Sequence, residues 1–122
     1  FARSVLNVFP FSRDGDVRPS LRRTGRLLDA GQNIAVFPEG TRGDPGHLEP
    51  FEQGIGVMGK EMEAPIIPVW IDGTGSAMPK GTMWPRKNID IAVTFGKAMR
   101  FSDAESYEAV THQVEEAVRD LS

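Results

Sequence analysis

Six consecutive residues, Phe37-Pro38-Glu39-Gly40-Thr41-Arg42, hold the densest chemistry in the chain. They follow the short apolar run Asn33–Pro38, which reads as a buried strand. A carboxylate, a glycine, a hydroxyl and a guanidinium are thus released together into a loop. In open α/β sheets, ligands bind just beyond the carboxyl ends of strands. Arg42 offers a planar fork matched to a phosphate. Gly40 permits a tight backbone that exposes its N–H, and Thr41 can donate one further hydrogen bond. Glu39 has two open roles: it could hold Arg42 in place, or accept from a ligand hydroxyl. The residues alone therefore describe an anion site. A Glu39–Arg42 loop salt bridge with no ligand is the alternative.

The other reactive side chains lend themselves to structural readings. Only two histidines are present. His112 falls on the C-terminal helical pattern as a solvated residue. His47 lies in a Gly/Pro-rich loop, with Glu52 five residues on. Gly54, Gly56 and Gly59 spell G-x-G-x-x-G, but the motif does not directly follow a strand in a βαβ unit, so helix packing explains it better than a dinucleotide. Arg18, Arg22, Arg23 and Arg26 recur at helical spacing, either as a solvated face or as a basic face for phospholipid headgroups. Trp70 reads as core. Trp84, beside Pro85, reads as a loop anchor or an interfacial residue. With no cysteine in the chain, disulfides, thiol nucleophiles and thiolate metal sites are excluded.

Charge is unevenly spread. Residues 1–42 hold seven arginines against four acids, whereas residues 43–122 hold seven basic against thirteen acidic residues. The basic part suits an anionic ligand, while the net charge of -3 argues against nucleic acid. No apolar run reaches the roughly 18 residues that span a bilayer, so membrane contact by this segment would be peripheral.

The elements that must position these residues follow from periodicity. Ser4–Phe11 reads as a strand. A helix opens at Pro19, runs through Leu28 and stops at Gly31. Strand 33–38, a loop over 39–51 and a Gly-rich helix over 53–63 follow. Ala64–Ile71 reads as an edge or bulged strand because of its two prolines. A long loop over 72–88 leads to the alternating strand Ile89–Phe95. Ser102 and Glu105 form a capping box for a helix whose apolar face is Tyr107, Val110, Val114, Ala117 and Leu121. This order predicts an α/β fold, a mostly parallel β-sheet with flanking helices, incomplete at its N-terminal side.

The hexapeptide resembles the third sequence block of the glycerol-3-phosphate and lysophosphatidic acid acyltransferases. The resemblance continues through GHLEPFEQGIGVMGKEMEAPIIPVWI, with Pro65-Ile66-Ile67-Pro68-Val69 similar to the fourth block, and on to Pro79-Lys80-Gly81 and Phe95-Gly96. Phe9-Pro10-Phe11-Ser12-Arg13 is similar to the second block, with Ser12 where the family carries an acid. In all, residues 5–100 are covered. The resemblance implies that residues 1–122 are the C-terminal portion of a single acyltransferase domain. It implies transfer of an acyl group from acyl-CoA or an acyl carrier protein to a glycerol phosphate or lysophospholipid. Substrate-binding roles then fall on Arg13, Phe37, Pro38, Glu39, Gly40, Thr41 and Arg42, with Pro68 on the acyl side. Neither metal nor organic cofactor is implied beyond the acyl donor, and the location implied is cytoplasmic, at the inner face of a membrane.

The family's catalytic H-x-x-x-x-D is absent from this chain, and is expected upstream of Phe1. Accordingly the chain alone is expected to be inactive. A non-catalytic anionic-lipid-binding domain of the same fold is the alternative.

Overall fold

The computed structural model describes residues 15–122, so the expected strand Ser4–Phe11 and Arg13 lie outside the described residues. The chain divides into two compact units, Phe1–Ala35 and Val36–Ser122.

In the first unit, helix α1 spans Arg18–Asp29. Pro19 sits in its first turn, where a missing N–H costs no intrahelical bond. The Asp16 carboxylate accepts from the Arg18 backbone N–H at 3.0 Å and from Arg18 Nε at 2.7 Å. Those bonds hold its pKa below the ordinary carboxylate range. The C-terminus closes as the sequence predicts. Gly31 has φ 76°; its N–H donates to Leu28 O, and that of Gln32 donates to Leu27 O. This pair of bonds is a Schellman closure, which a left-handed glycine makes cheap.

The run Asn33–Pro38 forms no strand, contrary to the sequence reading. A strand exists only through a β-ladder, and no described residue forms one with this run. Phe37 is 74% exposed.

The second unit is built on two helices. Helix α2 spans Gly54–Glu61 and packs on the C-terminal helix, α4, Tyr107–Arg119. Ile55, Val110 and Val114 are buried at the contact, with Phe51, Ile66 and Phe101 packed around them. The glycines explain the close approach. A Cβ on Gly56 would overlap the Tyr107 carbonyl oxygen, and one on Gly59 would lie 2.8 Å from Val110 Cγ1. The G-x-G-x-x-G spacing is therefore a helix-packing feature.

Between these helices in the sequence come the two strands of a small sheet, β1, Val69–Asp72, and β2, Ala92–Phe95. Val69 pairs with Phe95 and Asp72 with Ala92, antiparallel; an isolated bridge joins Ile66 to Met99. The helices and sheet fit the α/β class, but the expectation of a mostly parallel sheet is corrected for this pair. A parallel neighbour requires a crossover that carries the chain back across the sheet. Residues 73–91 supply instead a loop with one helical turn, α3, Thr74–Ala77, and return the chain alongside β1. Strand β1 is shorter than predicted because Pro65 and Pro68 lack the N–H a continuous ladder needs.

The helix α4 start also differs from the sequence reading. Ser106, not Ser102, is its N-cap, its Oγ accepting from the Ala109 N–H at 3.0 Å. The Ser102–Glu105 contact does form, with the Ser102 N–H donating to Glu105 Oε2 at 2.8 Å. It closes a separate turn just before the helix. Glu105 Oε1 then accepts from Gln113 Nε2 at 2.7 Å, tying that turn to α4. These bonds hold the Glu105 pKa below its usual range, Gln113 contributing most.

Candidate functional site

The Phe37–Arg42 segment opens the second unit as a tight turn. The Gly40 N–H donates to Phe37 O at 3.2 Å, and Gly40 takes φ 68°, a conformation that glycine adopts without strain. The next residues form a closed loop. The Glu52 N–H donates to Pro38 O at 2.8 Å, and Glu39 Oε2 accepts from the Glu49 N–H at 2.9 Å. Both bonds bring the loop's far end back to its origin. Gly43 fills the space inside, where a Cβ would lie 3.2 Å from Glu39 Oε2 and 3.3 Å from the His47 carbonyl oxygen.

Glu39 and Arg42 therefore do not pair. The carboxylate is committed to the loop backbone. Arg42 and Thr41 are exposed, and Arg42 forms no ion pair among the described residues. A guanidinium carried on a fastened turn and left in solvent can present its fork to an incoming anion without first breaking an internal salt bridge. Pro38, Glu39 and Gly40 are half-buried beneath it, and Phe37 projects into solvent.

A second loop braces this one. Pro45 packs over Gly75 of α3, where a Cβ would lie 2.6 Å from Pro45 Cγ. Lys80 Nζ donates to Asp44 Oδ1 at 3.1 Å. The sequence singled out Pro79-Lys80-Gly81 without showing this contact, because its two partners are 36 residues apart. Pro68 sits elsewhere in the unit, buried at the start of β1. It accepts from the Gly96 N–H at 2.8 Å and packs on that glycine. The structure thus brings together Phe37, Pro38, Glu39, Gly40, Thr41 and Arg42 as one turn, with Pro68 a core residue of the neighbouring sheet.

The histidines lie apart from this chemistry. His112 is an exposed residue of α4, its Nδ1 3.8 Å from Glu116 Oε2. His47 is exposed in the loop after the turn, its backbone N–H donating to Asp44 O at 3.0 Å. No group of three or more His, Asp or Glu side chains suited to a metal occurs among the described residues. Nor is any helix among them long and apolar enough to cross a membrane.

The chain belongs to the acyltransferase family, whose model matches residues 1–72 and so includes the Phe37–Arg42 turn. It is 32% identical over 108 residues to a chloroplastic 1-acyl-sn-glycerol-3-phosphate acyltransferase of Brassica napus, covering 86% of this chain and 31% of that protein. A chloroplastic enzyme of the same name from Arabidopsis thaliana is 31% identical over 108 residues, covering 86% of this chain and 30% of the relative. A 1-acyl-sn-glycerol-3-phosphate acyltransferase of Limnanthes alba is 40% identical over 64 residues, 52% of this chain and 23% of the relative. The chain thus spans under a third of the length of these relatives. No solved structure matches it.

Proposed function

We propose that the protein to which this chain belongs transfers an acyl group from a thioester, acyl-CoA or acyl carrier protein, to the hydroxyl of a glycerol phosphate or lysophospholipid. The observation that carries this reading is the Phe37–Arg42 turn, which holds Arg42 exposed and without an ion pair among the described residues while Glu39 fastens the loop behind it. Further support comes from family membership and from relatives named for acylating 1-acyl-sn-glycerol 3-phosphate. Those names weigh against the non-catalytic lipid-binding reading.

In the proposed reaction the acceptor hydroxyl attacks the thioester carbonyl. A carbon–oxygen bond forms and the carbon–sulfur bond breaks. The hydroxyl proton leaves through a general base and ends on the departing thiol. Neither histidine of this chain sits on the Phe37–Arg42 turn, so the base is assigned to the H-x-x-x-x-D block implied by the family and located outside these 122 residues. Arg42 binds the acceptor's phosphate. Thr41 lines the same anion site, Gly40, Glu39 and Pro38 shape it, Phe37 is the exposed apolar residue of the same turn, and Pro68 belongs to the acyl side. The chemistry needs no metal or organic cofactor. We place the reaction at a membrane face, where acceptor and product reside.

The test is thiol release by the full-length protein, given an acyl thioester and either a phosphorylated acceptor or the same acceptor without its phosphate. The proposal expects release only with the phosphorylated one. Equal release with both, or none with either, overturns it.

A further inference from the structure

The loop that carries Arg42 ends in a turn of its own. Asp44-Pro45-Gly46-His47 is closed by the His47 N–H, which donates to Asp44 O at 3.0 Å, and Gly46 takes φ 75°. Proline second and a left-handed glycine third is the arrangement of a type II turn, so Asp44 and Pro45 are presented on stiff backbone. Both are held from outside the loop, by the connection between β1 and β2. Lys80 Nζ donates to Asp44 Oδ1 at 3.1 Å, and Pro45 lies over Gly75, where a Cβ would sit 2.6 Å from Pro45 Cγ and 2.9 Å from Pro45 Cβ. That connection is itself tied across. The Gly73 N–H donates to the Asp72 carboxylate at 2.8 Å, the Arg86 N–H to Ala77 O at 2.7 Å, and the Thr82 hydroxyl to Pro79 O at 2.7 Å. Gly73 also lies so close to the Asp90 carbonyl oxygen that a Cβ would overlap it. Lys80 and Asp44 are both exposed, and such a pair alone contributes little. Joined by the Pro45 contact, it holds two successive residues, which resists rotation as well as displacement. The held pair begins two residues after Arg42.

We infer that the β1–β2 connection positions Arg42 for the acceptor's phosphate, with Gly75 and Lys80 as positioning residues that act through Pro45 and Asp44. The inference rests on the proposed acyl transfer and adds to it the element that sets the reach of the guanidinium. A fork that must meet phosphate oxygens at hydrogen-bond distance tolerates little displacement of the backbone beneath it. Glu39 fixes the loop's base and the connection fixes its far end, so Arg42 lies between two anchored points. A direct role of Lys80 on the phosphate predicts something different. Charge alone would have Lys80 attract the ligand and Asp44 repel it, so removing them would act in opposite directions. A brace makes both losses weaken binding.

The experiment measures both Michaelis constants of the full-length protein and the amide hydrogen exchange of residues 39–52. Lys80→Met and Asp44→Asn should each raise the acceptor KM by about three- to five-fold, the ceiling for an exposed pair, and leave the thioester KM and kcat within about two-fold. The double variant should be no worse than either single one, because both remove the same contact. Lys80→Arg, which keeps a donor for Asp44, should hold the parent's acceptor KM. Gly75→Ala should raise it by about ten-fold. Alanine suits a helical turn better than glycine, so that loss reports the contact with Pro45. In each weakened variant, exchange in residues 39–52 should quicken while that of α2 and α4 stays the same. The inference is overturned by opposite changes in the acceptor KM for Lys80→Met and Asp44→Asn, by equal changes in the acceptor and thioester KM, by no change in either, or by unchanged exchange in the loop. Exchange needs no turnover, so a parent protein that releases no thiol defeats the acyl-transfer reading alone, while the loop's exchange still decides the brace.

Discussion

Glu39 and Arg42 stand three residues apart on one turn, yet the carboxylate takes its hydrogen bond from the Glu49 N–H and the guanidinium is left in solvent. Spacing along the sequence left that choice open, because a Gly/Pro-rich loop delivers the competing donor from ten residues away. The consequence is testable. Glu39→Ala leaves the Glu49 N–H without its partner and is expected to cost about 1 kcal/mol of stability, read as a lowered midpoint in denaturant. The slackened loop should also raise the acceptor KM of the full-length protein. Glu39→Gln keeps an acceptor oxygen and should stay near the parent in both measurements. Equal damage from the two substitutions would show that the charge of Glu39 acts on the ligand rather than on the loop.

At the scale of elements, the helices were the most legible part of the sequence. Pro19 and Gly31 bracket α1 closely, and the spacing of Val110 and Val114 marks the packed face of α4, although Thr111 and Val118 are buried there as well and Tyr107, expected on that face, is exposed. The strands were less legible, since pairing is non-local. The run 33–38 has strand composition but no β-ladder partner among the described residues, and nothing in residues 64–95 signals that β1 and β2 run antiparallel. The cap of α4 failed for a local reason: two serines precede the helix, both make turn bonds, and only Ser106 has its oxygen over the first helical N–H groups. Ser106→Ala is therefore expected to destabilise by about 1 kcal/mol, whereas Ser102→Ala, whose side chain reaches Glu105 only at 3.5 Å, should change stability by under half of that. Thermal melts of the pair decide it. Gly56→Ala poses opposing effects. Alanine gains about 1 kcal/mol in helix propensity, but its Cβ overlaps the Tyr107 carbonyl, and overpacking costs roughly 1–3 kcal/mol. Because the clash is with backbone, no rotamer change relieves it, and net destabilisation is expected in denaturant titration.

Across the Val36–Ser122 unit, one side chain ties the end of the post-turn loop to the last helix. Glu115 Oε2 accepts from the Phe51 N–H at 3.0 Å, and Glu115 also pairs with Arg119. The Phe51 bond is the main reason its pKa lies below the ordinary carboxylate value. A depressed carboxylate stabilises the fold fully above its unfolded pKa, about 4.3, and loses that contribution as pH falls through the lower folded value. Glu115→Gln exchanges a charge-assisted bond for a neutral one, so it should cost about 1 kcal/mol at neutral pH, with the gap to the parent closing on acidification. A gap that persisted at low pH would point to packing instead. No sequence pattern announces this contact, because its partners are 64 residues apart. The turn was read only in part: Thr41 and Arg42 lie in the loop that the sequence predicts, whereas Phe37 and Pro38, read as the end of a buried strand, belong to the turn instead.

The account stands on Arg42 as the anchor of the acceptor's phosphate. Arg42→Ala in the full-length protein should raise the acceptor KM by roughly ten- to a hundred-fold, the loss of one charge-assisted hydrogen-bonding group worth about 1.5–3 kcal/mol, and leave the thioester KM within about two-fold. Equal changes in both constants, or none in either, would contradict it.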